Sequence, residues 1–285
     1  MLKIYRFTLG EEIIMFRMFA AIFTAAVLGF PASATPVKLC HIANAGFMAE
    51  GKTAAVLFDA ARVTDEYKGA FRLPSQSLMQ DLTAGTGAFA KVKVALVSHR
   101  HNDHFDASAT LAHLRTDLDV EYIMPPEAYA LLEKAGLTDT EAKRVHSVLP
   151  PWEGGPVTLD IAGARIEAYR IDHGPNRPQN IGYRVFLDGM IFFHTGDMSA
   201  SAESLRKAGL GATPVDVMLL AYWYGMNDAA QNKAIFDTWE IGTVVPMHFG
   251  GSGASRDRVI KNIHAQWPGS VMLTTEMACH TFGTD

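Results

Sequence analysis

The sequence predicts an α+β domain built from two similar β-rich halves, and three observations lead to this prediction. Strand patterns follow one another near residues 37–42, 45–50 and 54–59, and strands then alternate with helices. A second run of strand patterns starts near residue 157, and alternation resumes after it. No linker-like segment divides the two halves, so about 250 residues fit one domain with a full core.

The individual elements are predicted from hydrophobic periodicity and from flanking turn and cap residues. In the first half we expect, in order, a short helix at 74–83, a strand at 92–98, a helix at 107–118, a strand at 120–124, a helix at 126–135 and a strand at 143–148. In the second half we expect strands at 157–161, 165–171, 181–187 and 190–195, a helix at 200–208, a strand at 215–221, a helix at 227–239, a strand at 242–247, a helix at 255–266 and a strand at 270–275.

Cap and turn residues support several of these boundaries. Asp106 is suited to cap the helix that starts at residue 107, and Asn227 or Asp228 can cap the helix that precedes His248. Asp188 and Gly189 form a two-residue hairpin connection between two strand patterns.

The densest chemical feature is a group of four metal-ligand side chains within six positions. His99, His101, Asp103 and His104 follow an apolar, β-branched strand pattern and precede a helix. This places them on a strand-to-helix loop, where a rigid scaffold presents reactive groups. A solvated polar loop with coincidental histidines is the alternative, and the density of the cluster disfavours it.

The spacing of these residues suits metal binding. In an extended turn, His99 and His101 point to the same side and can grip one cation. Asp103 and His104 follow a bend and can face a second cation beside the first. Imidazole and carboxylate without thiolate suit Zn²⁺, Mn²⁺ or Fe²⁺.

The motif His-x-His-x-Asp-His after an apolar strand resembles the signature of the metallo-β-lactamase superfamily. Three further parts of that pattern occur in the expected order: His173 at a strand end, Asp197 in a Gly-Asp step, and His248 after an apolar strand. An early strand ending in Asp59 also matches. The resemblance spans residues 36–275 and implies the family's four-layer αββα sandwich, with metals at one edge between the sheets.

The resemblance implies a role for each matched position. His99, His101 and His173 would hold one metal, Asp103, His104 and His248 a second, and Asp197 would bridge the two. Each metal would keep an open position for water, as catalytic sites do. A hydroxide between the two cations would attack an ester-like bond, because metal binding lowers the pKa of water to about 7. Asp103 would orient that hydroxide and later accept a proton.

Asp197 helps to choose a branch within the superfamily. A bridging aspartate is similar to the thioesterase, lactonase and phosphodiesterase branches and unlike the true β-lactamases. The residues at 98–106 and 194–197, together with residues 44–50, look most like those of the ascorbate-6-phosphate lactonase-like and phospholipase D-like hydrolases. The flavodiiron pattern has glutamate at the position of His101 and is excluded on that residue.

The main functional prediction is therefore a dinuclear hydrolase of a small molecule that carries a lactone, thioester or phosphodiester. Its expected cofactors are two divalent ions, with Zn²⁺ first and Mn²⁺ or Fe²⁺ as alternatives. A mononuclear iron oxygenase acting on sulfur compounds is the second interpretation, and a β-lactamase the third. A metal-binding module without catalysis is disfavoured by the complete set of ligands.

The first thirty-four residues have the order of a secretory signal. Arg17 precedes an uncharged apolar run over 18–30, and Ala32-Ser33-Ala34 offers a cleavage site. We expect residues 1–34 to be removed and residues 35–285 to form the enzyme, exported to the periplasm or secreted. An uncleaved membrane anchor is the alternative. The segment before the apolar run of a secretory signal is normally positively charged, and Glu11 and Glu12 fit it poorly. We therefore interpret residues 1–14 as an extension upstream of the true start codon.

Composition narrows the class of partner. The chain is 48% hydrophobic and 19% charged, as soluble globular proteins are, and its net charge is −5. The chain has no run of lysines and arginines, which disfavours a nucleic acid as substrate or partner. We therefore expect a small-molecule substrate. Cys40 and Cys279 can form a disulfide in an oxidising compartment. They can equally be two small buried hydrophobes.

Substrate contacts are predicted near the metals. Tyr222, Trp223 and Tyr224 end an apolar strand at the metal edge and can wall a pocket, although ordinary packing competes with this interpretation. Arg177, in the loop after His173, can fork onto a carboxylate or phosphate. Structural roles are expected for His194 and for Arg100, which should point away from the metals, and structural or surface roles for His41, His113, His146, His264 and His280.

Overall fold

The computed structural model describes residues 35–211, 214–250 and 254–283. The predicted export signal, residues 1–34, lies outside them. The described chain contains two β-sheets whose outer faces are covered by helices, which confirms the expected four-layer αββα arrangement.

The first sheet has seven strands in the order β13-β1-β2-β3-β4-β5-β6. Pairing is antiparallel from β13 to β3 and parallel from β3 to β6. Its strands are β1 (Val37–Ala43), β2 (Gly46–Glu50), β3 (Ala55–Phe58), β4 (Val92–Leu96), β5 (Glu121–Met124), β6 (Val145–Ser147) and β13 (Cys279–Phe282).

The second sheet has six strands in the order β12-β11-β10-β9-β8-β7. The pairs β12-β11 and β11-β10 are parallel, and the remaining pairs are antiparallel. Its strands are β7 (Val157–Ile161), β8 (Ala164–Ile171), β9 (Asn180–Leu187), β10 (Met190–His194), β11 (Val215–Ala221) and β12 (Ile241–Met247).

The helices pack on the outer faces of the two sheets. Residues of α1, α2 and α3 share a core with the first sheet, and residues of α5 and α7 share another with the second. The hydrophobic core between the sheets has Phe47, Phe58 and Phe192 among its large side chains. The helices are α1 (Gln76–Ala84), α2 (Ala107–Thr116), α3 (Pro126–Lys134), α4 (Asp139–Ala142), α5 (Ala202–Lys207), α6 (Ala229–Ile235) and α7 (Ala254–Gln266). None of the helices described here is long and apolar enough to cross a bilayer.

The predicted caps and turn are present. Asp106 accepts hydrogen bonds from the backbone N–H groups of Ser108 and Ala109 at the start of α2. Asp228, rather than Asn227, caps α6. The Asp188-Gly189 turn joins β9 to β10, and both residues have positive φ, as a two-residue hairpin of this kind requires.

Two predicted elements differ from the structure near the end of the chain. The strand expected at 270–275 is wrong: only one backbone bond, from Val271 N to Val244 O, links this segment to β12. The strand that is present instead, β13, was missed because Cys279–Phe282 is short and polar. The helix expected at 227–239 is shorter: α6 begins at Ala229, after its cap Asp228, and ends at Ile235.

The two cysteines form a disulfide. Cys40 on β1 and Cys279 on β13 are directly opposite each other in the antiparallel ladder, with Cα atoms 4.1 Å apart. The bond therefore ties together two strands that are 239 residues apart in sequence. Of the two open interpretations of these cysteines, the structure supports the bridge.

Candidate metal centre

The metal-ligand residues predicted from the sequence meet at one edge of the two sheets. The loop from His99 to His104 follows β4, where Asp106 ends the loop by capping α2. His173, Asp197 and His248 follow the ends of β8, β10 and β12. Strands from both sheets thus end at the same place and point side chains of distant sequence origin into one small volume.

The side chains form two groups of potential ligands. One contains His99, His101, His173 and Asp197, and the other Asp103, His104 and His248. Within each group, the ligand atoms lie within 4.8 Å of one another. All seven residues predicted from the sequence are brought together, in the two sets that the motif implied.

Asp197 lies between the two groups and presents one carboxylate oxygen to each. Its Oδ1 is 3.0 Å from His104 Nε2 and 3.3 Å from His248 Nε2. Its Oδ2 is 3.7 Å from His99 Nε2 and 3.6 Å from His173 Nε2. A carboxylate in this position is able to bridge two cations.

Burial and mutual charge shift the pKa values of the ligand side chains in different directions. Burial, reinforced by neighbouring imidazoles, lowers the pKa of His101 to about 4 and that of His99 well below its usual range. Burial opposes ionisation of Asp103, yet the adjacent imidazoles of His248 and His104 lower its pKa to about 2. The histidines also hold the pKa of Asp197 well below its usual range against the effect of burial. Two carboxylates are therefore charged at neutral pH beside His99 and His101, whose imidazoles are neutral there. Burial lowers the pKa of His104, but the carboxylates of Asp197 and Asp59 raise it well above its usual range, so a cation would displace a proton from that imidazole.

Unsatisfied polar atoms provide a direct test of whether a metal fits. His104 Nε2, His248 Nε2 and Asp197 Oδ1 are buried and have no hydrogen-bond partner among the described residues. Leaving such atoms unpaired in the interior costs about 1–3 kcal/mol each. Because these atoms converge and are lone-pair donors, divalent cations fit the centre as its missing partners.

The ring orientation of two ligands is fixed by one carboxylate outside the ligand set. Asp59 Oδ2 lies 2.7 Å from His104 Nδ1, so that nitrogen donates and Nε2 is left for a metal. The Ser98 hydroxyl donates to Asp59 Oδ2 at 2.6 Å and therefore accepts from His99 Nδ1 at 2.9 Å. This leaves His99 Nε2 for the other group. The sequence pattern singled out Asp59 but not Ser98.

Asp197 is held by its own supporting contacts. Its backbone N–H donates to Asn180 Oδ1 at 3.1 Å, and Asn180 Nδ2 donates to Thr195 O. Gly196 has φ of +53°, and a Cβ there would lie 2.2 Å from Asn180 Oδ1, so no side chain fits. His194 accepts from Gly196 N and donates to Ala45 O, which gives it the expected structural role.

A cavity of about 390 Å³ opens beside the centre. Its lining includes ligands from both groups together with Tyr67, Phe71, Arg177, Ser199 and Trp223. Tyr67 and Phe71 were missed by sequence reasoning because their loop, residues 59–75, has no periodic pattern. A larger cavity of about 540 Å³ lies beside α1, but its described lining contains no histidine or carboxylate, so it is not the metal site.

The predicted substrate residues divide into two sets. Trp223 and Arg177 line the cavity, as expected. Tyr222 lies beside His248, with ring centroids 6.3 Å apart, but outside the cavity lining. Tyr224 is corrected to a core residue: it is buried, packs on Phe236 and donates to Met198 O. Arg100 does point away from the centre and pairs with Glu127.

Comparison with known proteins places this fold and centre in a family. Residues 54–249 match the model of the beta-lactamase superfamily domain, a span that contains all seven candidate ligands. The chain therefore belongs to the beta-lactamase superfamily. A UPF0173 protein of Pyrococcus abyssi is 28% identical to it over 57% of this chain and 69% of that protein. A UPF0173 metal-dependent hydrolase of Hyperthermus butylicus is 22% identical over 56% of this chain and 66% of that protein.

Solved structures share the fold at low sequence identity. Igni18, a metallo hydrolase of Ignicoccus hospitalis, aligns over 87% of this chain and 99% of its own, with a TM-score of 0.55 and 19% identity. CmlA, a diiron β-hydroxylase of Streptomyces venezuelae, aligns over 89% of this chain and 55% of its own, with a TM-score of 0.55 and 16% identity. These likenesses establish the shared fold.

Proposed function

We propose that this metal-dependent hydrolase of the β-lactamase fold holds two divalent cations and hydrolyses an ester-like bond of a small molecule. The observation that carries the proposal is the bridging position of Asp197, with one carboxylate oxygen facing each group of histidines. A site for a single cation has no need of a second group such as Asp103, His104 and His248.

Each group of residues has a distinct task in this mechanism. When bound, the two cations supply a hydroxide nucleophile at neutral pH and take up negative charge from the electrophile. Asp103 is ionised and lines the cavity, so it accepts a hydrogen bond from the attacking water and takes up its proton. His248 Nε2 lies 2.9 Å from Asp103 Oδ2, so these two atoms would hold the same cation. Lactones, thioesters and phosphodiesters are the candidate substrates.

Metal content and turnover test this proposal together. We expect about two zinc or manganese ions per chain by elemental analysis, and hydrolysis of at least one candidate ester class that chelation abolishes. Asp103→Asn should reduce kcat by about 10²–10⁴-fold. Asp119→Asn, at an exposed residue paired with Lys93, is the matched control and should be unchanged.

Other outcomes contradict the proposal. A single iron per chain with oxygen consumption favours the oxygenase, and rapid carbapenem hydrolysis favours a β-lactamase. Turnover that survives both chelation and Asp103→Asn contradicts metal-dependent hydrolysis altogether.

The proposed place of action is an oxidising compartment, the periplasm or the medium. Disulfides persist there and are rare in reducing cytosol, and Cys40 and Cys279 are paired in this structure. Fractionation of expressing cells tests this: the protein should be found outside the cytoplasmic fraction with residues 1–34 removed. Recovery of the full-length chain from the cytosol contradicts it.

A further inference from the structure

The cavity beside the metal centre has two chemically different sides. Aromatic rings stand on the side of His248: the Phe71 ring centroid is 4.8 Å and the Trp223 centroid 5.4 Å from that imidazole. Tyr67 extends this wall, with its ring 5.3 Å from Phe71. The indole N–H of Trp223 donates to Met198 O, so the ring offers its apolar surface to a ligand.

The part of the lining that comes from the segments after β8 and β10, which also carry His173 and Asp197, is polar and cationic. Arg177 and Ser199 line the cavity there. Both side chains lie near Gly174: a Cβ placed on this glycine would be 3.9 Å from Arg177 Cγ and 4.0 Å from Ser199 Oγ. Arg177 is the only lysine or arginine among the described residues of the lining.

The loop that carries Arg177 is anchored on both sides of it. Gly174 N donates to Asp172 Oδ1 at 2.8 Å, and Arg177 N donates to Gly174 O. Beyond Arg177, Pro178 is buried and Gln179 N donates to Glu127 Oε2 at 3.2 Å. An anchored loop loses less conformational entropy when its side chain binds a ligand.

Charge distinguishes Arg177 from Arg100, the arginine inside the metal-ligand motif. Arg100 lies between two ligands in sequence, but Glu127 neutralises it at 3.0 Å. Arg177 is exposed and makes no ion pair with any described residue, so its guanidinium is free to receive an anion. A guanidinium recognises carboxylate and phosphate by the same two-pronged hydrogen bonding.

We propose that Arg177 binds a second, acidic group of the substrate, a carboxylate or a phosphate, on the His173 side of the reacting bond. The preferred substrate is then an ester-like molecule with an acidic acyl part beside Arg177 and an apolar leaving group against Phe71 and Trp223. In its hydrolysis the acyl–oxygen bond breaks, the water oxygen joins the acyl carbon, and a water proton ends on the leaving alcohol. This inference rests on the proposed hydrolase function.

A matched set of esters tests the inference. 4-Nitrophenyl glutarate carries a free carboxylate, methyl 4-nitrophenyl glutarate has that carboxylate capped, and a third ester carries a terminal phosphate. For wild type we expect a KM for one charged ester about tenfold below that of the capped ester. Whether the carboxylate or the phosphate ester is preferred identifies the source of the anion.

Variants of Arg177 test whether this side chain causes the difference in KM between the charged and capped esters. Arg177→Gln should raise KM for the charged ester about tenfold, leave kcat within about twofold, and leave the capped ester unchanged. Arg177→Lys should recover part of the affinity, because it restores the charge without the fork. Arg206→Gln, at an exposed arginine on α5, is the control and should match wild type.

A binding measurement separates this inference from the proposed function. By calorimetry, Arg177→Gln should weaken binding of glutarate but not of its diamide, in which both carboxylates are replaced by neutral groups. Equal effects of the variant on charged and capped ligands overturn the role of Arg177. Chelation-insensitive turnover, or no turnover of any ester while the binding difference persists, counts against the hydrolase and not against the anion site.

Discussion

Ser98 donates its hydroxyl to Asp59 at 2.6 Å, and this single contact connects the supports of both groups of metal ligands. The same Asp59 oxygen receives His104 Nδ1, while the Ser98 oxygen receives His99 Nδ1. One buried carboxylate thus sets the tautomer of a ligand in each group. Loss of either side chain should therefore weaken the binding of both metals rather than of one.

Replacement of Ser98 tests this connection. Ser98→Ala removes the acceptor for His99 Nδ1 and one of the hydrogen bonds of Asp59, so the affinity for metal should fall by about 10–100-fold. Competition with a chromophoric chelator measures it. Ser147→Ala, at an exposed serine on β6, is the control. Unchanged affinity in Ser98→Ala means that the rings are held by packing alone.

A methyl group at Gly196 should disturb the bridging carboxylate. In Gly196→Ala the new Cβ meets Asn180 Oδ1 and lies 2.8 Å from Ser98 Cβ, at a φ of +53°. Strain of this kind costs about 1–3 kcal/mol of stability, and metal content should fall with it. Urea unfolding and elemental analysis measure the two effects.

Gly269→Ala is the matched control for this substitution, because nothing lies within 4 Å of a Cβ there. Equal behaviour of the two variants would show that the Gly196 turn adapts without cost.

Protonation of His113 should make folding sensitive to acid. His113 is buried beside the Tyr122 hydroxyl, 2.8 Å away, and burial lowers its pKa from 6.5 to about 4. Between these values the unfolded chain takes up a proton that the folded chain refuses, so stability falls as pH drops from about 6.5 to about 4. By pH 5 the loss is about 2 kcal/mol.

Urea unfolding at pH 7.5 and pH 5.0, with protein from which a chelator has removed the metal, measures this loss of stability. His113→Gln cannot titrate, so its stability should fall by about 2 kcal/mol less than that of wild type over the same interval. Parallel losses in the two proteins would assign the acid sensitivity to other groups.

The bridge between Cys40 and Cys279 should contribute to stability through the unfolded chain. It closes a loop of 239 residues, for which chain entropy predicts roughly 5–6 kcal/mol. Cys40→Ala combined with Cys279→Ala should lower Tm accordingly, and reduction of wild type should reproduce that shift. Alkylation under native oxidised conditions should find no free thiol, whereas two labelled thiols per chain would contradict the bridge.

The parts of this structure that were predictable from sequence are those with local or motif signals. The four candidate ligands from His99 to His104 share a short loop, and β4 and α2 on either side have clear periodicity. His173, Asp197 and His248 each end a strong strand pattern, so the family signature located them across 150 residues.

The remaining features depend on tertiary contacts that leave no pattern in sequence. Tyr67 and Phe71 reach the cavity from an irregular loop, where no period indicates which side chains turn inward. Tyr224 looked like its neighbour Trp223, but the 3₁₀ turn points it into the core. β13 is a strand because its backbone pairs with β1. Its four residues alone show too little alternation of polar and apolar side chains to indicate a strand.

The neighbouring positions of β1 and β13 also bear on how a nascent chain folds. Until β13 has been synthesised, β1 presents an unpaired backbone edge, which is a template for association with other chains. Every other strand of both sheets is made before that edge can be covered. The first sheet should therefore be completed only once β13 has been made and has paired with β1, and the interval before that pairing is when this protein most needs protection from aggregation.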